Sequence, residues 1–252
     1  MKHYDFKIPV EDKDYPLWSE YTVSQISAIM KEAIDSGRNQ ILISTNLKRG
    51  LSLENINKIA GPFVEAWALE IFEDISTGPT NKYQLIHVEA GTRLALCDII
   101  LQFKRVNEKE TYISSNVDVK ATAEDIPTSG KSPNIVSYAR IRTAYVEDPD
   151  YIFIILSLKH KVYSEKNTDT GITHGIMQVR SHSVYDLKYL SDKDLNYNPA
   201  LGTGQLQVRD IHYVATVRRT VWEFCQLFDK RYIASKGEEA FEKLARKKEW
   251  IK

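Results

Sequence analysis

The chain has 252 residues, of which 42% are hydrophobic and 27% charged, a balance typical of a globular protein with a sizeable core. No apolar run approaches the roughly 18 to 20 residues of a membrane span, and no apolar signal region opens the chain, so we expect a cytoplasmic protein without a membrane span. The two cysteines, Cys97 and Cys225, are too few for a disulfide framework and lack the Cys-x-x-Cys spacing of a zinc site.

The net charge is zero, but its distribution is uneven. Residues 1–97 carry 10 basic and 13 acidic groups, residues 98–160 carry 8 and 9, and residues 161–252 carry 16 and 12. Because binding of a polyanion depends on where charges lie, a neutral total does not exclude nucleic acid as a partner. No repeat, low-complexity segment or long linker divides the sequence, so we predict a single domain over residues 1–252.

The first part of the chain is predicted to be helical around one short strand. Apolar residues at helical spacing predict a helix over residues 21–36, and a short β-like segment follows at 40–44. A second helix is predicted from about residue 52 to 75. It should restart or kink at Pro62, because proline suits the first turn of a helix.

Beyond residue 80 the pattern changes to strands and then alternates. β-branched and aromatic residues predict strands at 83–89, 92–103, 111–121, 151–158 and 206–216. Further helices are predicted at 134–146, 220–234 and 238–248, the last with a basic surface. Together these elements predict an α/β fold in which a mixed central sheet is flanked by helices.

Residues 116–120, with the sequence Asn-Val-Asp-Val-Lys, place an acid and a base on one face of a strand. Alternate side chains project to the same side, so Asp118 and Lys120 point together while Val117 and Val119 pack on the other side. A carboxylate can hold a divalent metal at a phosphodiester, and a lysine can orient or help deprotonate the attacking water.

Two further acids fit the same chemistry. Asp98 is the single charge in an apolar run, 20 positions before Asp118, which suits an antiparallel hairpin that brings the two carboxylates together. Mg²⁺ prefers oxygen ligands, and two carboxylates with a substrate phosphate can suffice. Helical geometry puts Glu65 on a stripe with Leu69 and Phe72, so we expect a core-facing acid that has a polar partner or faces a site.

Each of these features has a simpler interpretation when it is taken alone. A D-x-K pattern is common on solvated strand faces, Asp98 could belong to a structural ion pair, and Glu65 could pair with Lys58. The combination of all three favours a metal-dependent nuclease over any other single function.

The same residues carry a resemblance to a known family. Glu65, Asp98 and Asp118-Val-Lys120 resemble the PD-(D/E)xK nuclease motif with its helical glutamate, although Cys97 stands where the motif name expects proline. Segments along nearly the whole chain resemble the HpaI-type type II restriction endonucleases, and the central part is similar to the HincII and EcoRV types. The matching segments are Asn-Leu-Lys at 46–48, Leu-Glu-Asn-Ile-Asn-Lys-Ile-Ala-Gly at 53–61, Asn-Val-Asp-Val-Lys-Ala-Thr at 116–122, Gly-Lys-Ser-Pro-Asn-Ile at 130–135, Arg-Ile-Arg-Thr-Ala-Tyr-Val at 140–146 and Tyr-Asn-Pro-Ala-Leu-Gly-Thr-Gly-Gln at 197–205.

The resemblance implies a restriction-endonuclease-like fold of the EcoRV branch and Mg²⁺-dependent, blunt cleavage of double-stranded DNA at GTTAAC by a homodimer. It implies that Asp98, Asp118 and the Val119 carbonyl ligate Mg²⁺. It also implies that Lys120 positions the hydrolytic water and that Glu65 is a more distant or second-metal acid. Residues 1–80 would form a helical dimerisation part, and residues 83–252 would supply catalysis and DNA recognition.

Base reading is expected first from the loop after the catalytic strand. Asparagine can contact adenine bidentately and lysine can donate to guanine. Similarity to the HincII type implies a base contact for Asn134 and an intercalating position at Lys131, where lysine could contact phosphate instead. Ser132 belongs to the same segment, which could also be an ordinary mobile surface loop.

A second set of DNA contacts is expected from a glycine-rich loop and a helix. Thr203 lies in the loop, and strand alternation puts Gln205, Gln207 and Arg209 on one face, although an ordinary hairpin turn would look the same. Two arginines on the helix predicted at 134–146, Arg140 and Arg142, suit phosphate contacts.

Two other functions remain open from the sequence. One is another PD-(D/E)xK nuclease, of the repair or recombination type. The other is a sequence-specific DNA-binding protein that has lost catalysis. The matches in the recognition loops argue against a repair or recombination nuclease. The intact acid pair with its lysine argues against a DNA-binding protein that has lost catalysis.

Overall fold

A computed structural model of the chain describes residues 4–79, 81–92, 94–105 and 111–252. The described chain divides into two compact units. The six-stranded unit comprises Tyr21–Gly130 and Ile154–Val184, and the three-stranded unit comprises Met1–Glu20, Lys131–Phe153 and Tyr185–Lys252. The interpretation of residues 1–252 as a single domain stays a prediction.

The elements follow one another as a mixture of helices and strands. In chain order they are α1 (Tyr15–Asp35), β1 (Gln40–Ile43), α2 (Leu53–Thr77), β2 (Leu85–Ala90), β3 (Ile99–Lys104), β4 (Tyr112–Ala123), β5 (Asn134–Ser137), α3 (Tyr138–Glu147), β6 (Ile152–Lys166), β7 (Thr173–Asp186), a 3₁₀ turn (Leu187–Tyr189), β8 (Leu195–Asn198), β9 (Gln205–Val208), α4 (Val221–Lys236) and α5 (Glu238–Lys247). Helix α1 and strands β6 and β7 contribute residues to both units. The predicted α/β class, a central sheet flanked by helices, is confirmed.

The six-stranded unit is built on a sheet of order β1-β7-β6-β4-β3-β2. Strand β3 pairs antiparallel with both β2 and β4, and the register sets Ile99 opposite Val117. Helix α2 packs against β2 and β4 through a buried stripe that includes Val64, Ala68 and Phe72. This stripe at helical spacing is what an amphipathic helix buries against a sheet. The helix therefore lies beside the β3–β4 hairpin.

The three-stranded unit has a small antiparallel sheet of order β5-β9-β8. Helix α3 packs against β5 and α4, and α4 packs against α5 and β8. Its core is aromatic: the Tyr138 ring stacks on Tyr232 at 5.1 Å between centroids and meets Trp250 edge-on at 5.6 Å. Such ring pairs add to the free energy of area burial and fix the relative positions of the helices.

Several predicted boundaries differ from the structure. The helix predicted at 21–36 begins already at Tyr15, and the strand predicted at 151–158 continues to Lys166. The strand predicted at 92–103 begins only at Ile99, and the Gly91 N–H donates to the Asp98 carbonyl in the connection that precedes it. The strand predicted at 206–216 ends at Val208, since the Asp210 side chain accepts from the His212 N–H and makes a turn. The helix predicted at 134–146 begins at Tyr138, because the preceding residues pair with β9.

Helix α2 runs without a break from Leu53 to Thr77, so it does not restart at Pro62, and the alternative of a kink there stays a prediction. A single proline removes one donor from the helix, and the buried stripe on both sides of it compensates. Strands β7 and β8 were not predicted, because their exposed and half-buried positions interrupt the apolar pattern. Both cysteines are free and buried. Within the described part of the chain, no helix has the length and apolar character to cross a membrane.

Candidate active site

The β3–β4 hairpin brings two carboxylates together. Asp98 immediately precedes β3, and its N–H donates to the Val117 carbonyl at 2.9 Å, which continues the register of the two strands and sets it opposite Asp118. The Asp98 Oδ2 atom accepts a hydrogen bond of 2.7 Å from the Val119 N–H. The spacing of 20 residues therefore produces the proximity that the sequence predicted.

Asp118 and Lys120 point to the same side of β4, as strand alternation predicted. The Lys120 Nζ atom donates to Asp118 Oδ1 at 2.9 Å and lies 2.8 Å from Oδ2, where the angle does not suit a hydrogen bond. Asp118 is only 5% exposed. Its Oδ2 is thus a buried carboxylate oxygen that makes no hydrogen bond and has the charge of Lys120 beside it.

The electrostatics of this cluster act mainly on Asp118. Burial raises the pKa of Asp118, Lys120 lowers it, and the nearby charges of Asp98 and Glu65 raise it by smaller amounts, so that the net value is about 7. Three carboxylates around one lysine leave an excess of negative charge. Such an arrangement attracts a cation, which is the usual reason for gathering like charges at one place.

Glu65 reaches this cluster from α2, but it does not face the core. Its side chain is exposed, and the buried stripe of the helix passes through its neighbours Val64 and Ala68, so the prediction of a core-facing acid is wrong. The ideal helical angles put Glu65 on the buried stripe, whereas in the structure the stripe passes through Val64, the residue before it. Partial burial nonetheless raises the pKa of Glu65, and the charge of Asp98 raises it as well, which places the two carboxylates near each other.

Gly91 is a residue of this site that the sequence did not reveal. Its N–H donates to the Asp98 carbonyl at 2.6 Å, and a Cβ there would lie inside contact distance of the Cys97 carbonyl oxygen. Only glycine allows this close approach, which holds the turn before Asp98. A glycine between two predicted strands can indicate a close backbone approach, but the strand predicted at 92–103 began directly after Gly91 and left no turn there.

The donor set fits a hard divalent cation. Two carboxylates and a backbone carbonyl are oxygen ligands of the kind that Mg²⁺ takes while it keeps several waters. The buried Asp118 Oδ2, which makes no hydrogen bond, supports this fit. No set of three or more His, Cys, Asp or Glu side chains arranged for a metal occurs in the described ranges, so a fully proteinaceous cage is not present there.

The residues expected to read DNA come together in the three-stranded unit. The two predicted loops are joined there, because β5 pairs antiparallel with β9 and sets Asn134 opposite Gln207 and Ser137 opposite Gln205. An isolated bridge links Lys131 to Asp210. Seven of the expected residues lie on this sheet or its connections: Lys131, Ser132, Asn134, Thr203, Gln205, Gln207 and Arg209.

Thr203 and its loop are held by contacts within the same unit. The Thr203 hydroxyl lies 3.1 Å from that of Ser137, and its carbonyl accepts from the Tyr197 hydroxyl at 2.9 Å. Gly204 has φ +89°, and a Cβ there would collide with the Tyr197 ring. A glycine is therefore required where this loop enters β9.

Arg140 and Arg142 differ sharply in their surroundings. Arg140 is exposed on α3, as a phosphate contact requires. Arg142 is 1% exposed and makes two hydrogen bonds to the Asp229 carboxylate, whose Oδ1 also accepts from the Tyr138 hydroxyl. A phosphate contact by Arg142 is thus ruled out in this conformation, because its guanidinium is used inside the unit.

Comparisons with known proteins agree with these observations. The sequence profile of the family described as type II restriction endonuclease HpaI matches residues 2–249. The chain is 55% identical over 250 residues to the type II restriction enzyme HpaI of Haemophilus parainfluenzae, an alignment that covers 98% of this chain and 97% of that protein. Among solved structures, NlaIV restriction endonuclease aligns over 87% of each chain with 11% identity and a TM-score of 0.42, too low to support a conclusion.

Proposed function

The chain belongs to the HpaI family of type II restriction endonucleases, and from this premise we propose that it makes blunt, Mg²⁺-dependent double-strand cuts at GTTAAC as a homodimer. Membership establishes a site-specific endonuclease whose substrate is DNA. The metal, the type of end and the recognition sequence belong to the proposal, as do the roles of individual residues.

The observation that carries the proposal is the cluster of Asp98, Asp118 and Lys120 at the β3–β4 hairpin. Two carboxylates that can bind a metal and one ammonium group, with a buried carboxylate oxygen that makes no hydrogen bond, suit metal-assisted hydrolysis of a phosphodiester. Glu65 adds a third acid from α2. A non-catalytic DNA-binding protein would have no use for this arrangement of charges.

The residues have separate tasks in the proposed reaction. Asp98, Asp118 and the Val119 carbonyl would hold Mg²⁺, which when bound stabilises the negative charge that develops at the scissile phosphate. Lys120 orients the attacking water and donates a hydrogen bond to the phosphate oxygens. Glu65, being exposed, acts on the cluster through its charge and serves as a more distant acid.

DNA recognition is assigned to the three-stranded unit. Asn134 reads a base edge, while Lys131, Arg140 and Arg209, all exposed, contact the backbone. Thr203 and Gln205 lie on the neighbouring loop and strand and complete the contact surface.

A homodimer follows from the symmetry of the proposed site. A palindrome presents two equivalent half-sites, and two cuts need two active centres related by a two-fold axis. We assign the dimer contact to residues 1–80 and catalysis and recognition to residues 83–252. Sedimentation analysis of the free protein should give about twice the 29.0 kDa mass of the chain.

Digestion of plasmids of known sequence with Mg²⁺, followed by mapping of both strands at each end, tests the function. We expect one cut in each strand at the centre of every GTTAAC and no other product. Cleavage at other sequences would reject the assigned specificity, staggered ends would reject blunt cutting, and cleavage without sequence preference would favour a repair-type nuclease.

The active-site assignment has its own test. Asp118→Ala should abolish cleavage while binding of the specific duplex in Ca²⁺ remains measurable, because the DNA contacts lie elsewhere. Glu165→Gln, an exposed acid on β6 of the same unit, is the matched control and should cleave normally. A cleaving Asp118→Ala enzyme would overturn the assignment.

A further inference from the structure

Asn134 and Gln207 form a cross-strand pair of amides on the small sheet. They stand opposite each other in the β5–β9 register, and the Gln207 Nε2 atom donates to the Asn134 Oδ1 atom at 3.0 Å. The residues on either side of Gln207, Leu206 and Val208, are fully buried. Gln207 therefore projects to the opposite face of β9, where the exposed Asn134 side chain lies.

The orientation of both amides follows from one backbone group. Gln207 Nε2 also donates to the Ser132 carbonyl, at 3.1 Å. A carbonyl oxygen can only accept, so the nitrogen of the Gln207 amide must be on this side. The atom of Asn134 that faces the same nitrogen must then be its oxygen. As a result the Asn134 Nδ2 group, which makes no hydrogen bond within the described chain, is left with two donors to offer.

We propose that Gln207 is the positioning residue that fixes the amide of Asn134 so that Nδ2 is presented to a base acceptor. The inference rests on the proposed function, in which Asn134 reads a base. The second lone pair of Asn134 Oδ1 stays available beside Nδ2. Together they match the adjacent acceptor and donor that adenine presents in the major groove, N7 and the N6 amino group.

Gln207 also stabilises the backbone that carries Asn134. Ser132 has φ +50°, a left-handed conformation that costs free energy for a residue with a Cβ. Its N–H donates to the Arg209 carbonyl at 3.0 Å, and its carbonyl accepts from Gln207. Both backbone polar groups of Ser132 are thus held, one by Gln207 of β9 and one by Arg209 just after it, and Gln207 connects this strained turn to the amide of Asn134.

An isosteric substitution of Gln207 should reverse the orientation of the Asn134 amide. In Gln207→Glu the ionised carboxylate can only accept, so it loses the Ser132 carbonyl as a partner and favours an Asn134 amide with its nitrogen toward position 207 and its oxygen outward. Binding of the duplex defined by the end mapping, measured in Ca²⁺, should weaken by roughly ten- to a hundredfold relative to non-specific duplex. Asn196→Asp adds the same charge opposite Gln207 on β8, at a residue with no assigned DNA contact, and controls for repulsion, which lowers specific and non-specific binding alike.

A double-mutant cycle separates positioning from direct contact. If Gln207 acts through Asn134, then adding Gln207→Glu to Asn134→Ala should change the ratio of specific to non-specific binding by less than about twofold. A full additional loss would mean that Gln207 contacts a base itself and would overturn the proposal. An Asn134→Ala enzyme with an unchanged ratio would instead reject the role assigned to Asn134 in the proposed function.

The positioning can also be measured without DNA. Gln207→Met keeps the length of the side chain and removes both hydrogen bonds. The order parameter of the Asn134 side-chain amide, from ¹⁵N relaxation, should fall in this variant while the backbone amides of α2 are unaffected. An unchanged order parameter would reject the positioning role whatever the outcome of the DNA experiments.

Discussion

The Asp98 carboxylate accepts a 2.7 Å hydrogen bond from the Val119 N–H, on the strand residue that lies between Asp118 and Lys120. A charge-assisted bond of this length fixes the orientation of the carboxylate and leaves its second oxygen for another partner. The Asp98 carboxylate is therefore positioned by a backbone group of the adjacent strand, so its place in the site depends on the β3–β4 hairpin, whereas the Asp118 carboxylate is held by the Lys120 side chain.

The first prediction concerns Gly91, whose N–H donates to the Asp98 carbonyl. In Gly91→Ala the new Cβ would meet the carbonyl oxygens of Cys97 and Asp98, so the turn before β3 must move. A displacement of about 1 Å at a catalytic group can cost about 100-fold in rate. We expect single-turnover cleavage to fall by that order while affinity for the specific duplex in Ca²⁺ is retained.

Gly61→Ala is the matched control for Gly91→Ala. Gly61 lies within α2, and outside its chain neighbours and its own helix no heavy atom would lie within 4 Å of a Cβ there. The usual gain of alanine over glycine inside a helix is opposed here by Pro62, whose ring disfavours a helical residue with a Cβ before it. The control should nonetheless leave cleavage unchanged, because Gly61 has no part in the turn before β3. Equal activity of the two variants would contradict the role of the turn.

The raised pKa of Asp118 predicts how the stability of the metal-free protein depends on pH. An unfolded aspartate titrates near 3.9, whereas the folded value is about 7 because of burial. Between these values the folded state binds the extra proton, so the free energy of unfolding falls as pH rises from about 4 to about 7. Asp118→Asn removes this titration and should stabilise the protein at pH 8, by on the order of 2 kcal/mol, but not at pH 4.

Urea unfolding in EDTA at pH 4 and pH 8 measures this difference. The wild-type protein and the Asp118→Asn variant should have converging midpoints at low pH and separate midpoints at high pH. If the midpoints of the two proteins differ by the same amount at both pH values, the amide acts through packing or hydrogen bonding, and the charge of Asp118 does not destabilise the folded protein.

Glu65 should matter less than the acids of the hairpin. It is exposed and acts on the cluster through its charge, so Glu65→Gln removes part of the field without disturbing β3 or β4. We expect a loss of about 10- to 100-fold in single-turnover cleavage, the range found for groups just outside a metal's ligands. Asp98→Asn should lose far more. Glu54→Gln, an exposed acid on the same helix paired with Lys58, is the control and should cleave at the wild-type rate.

The catalytic hairpin could be predicted from the sequence because its signals are local. Strand alternation put Asp118 and Lys120 on one side, and a spacing of 20 residues implied the turn that brings Asp98 across. These inferences need only the period of a strand and the length of a hairpin. Gly91 could not be predicted in this way, because its role depends on a close approach to a backbone seven residues ahead.

The errors arose where tertiary contacts decide between local alternatives. Residues 134–137 follow a proline and could begin a helix, but pairing with β9 makes them a strand. The pair of Arg142 with Asp229 joins helices α3 and α4 across 87 positions of sequence, which no local pattern contains. A basic helix surface was the only visible feature, and it suggested the same role for both arginines.

Arg140 and Arg142 therefore provide the last prediction, because two residues of one type on one helix should fail in different ways. Arg140→Gln removes an exposed charge and should change the free energy of unfolding by less than about 0.5 kcal/mol. It should weaken binding to specific and non-specific duplexes alike and reduce the slope of log K against log salt by about one.

Arg142→Met leaves Asp229 as an unpaired buried charge and should destabilise the protein by about 3–5 kcal/mol. Where Arg142→Met is still folded, the slope of log K against log salt should equal that of the wild type. A reduced slope would show that Arg142 contacts DNA after all.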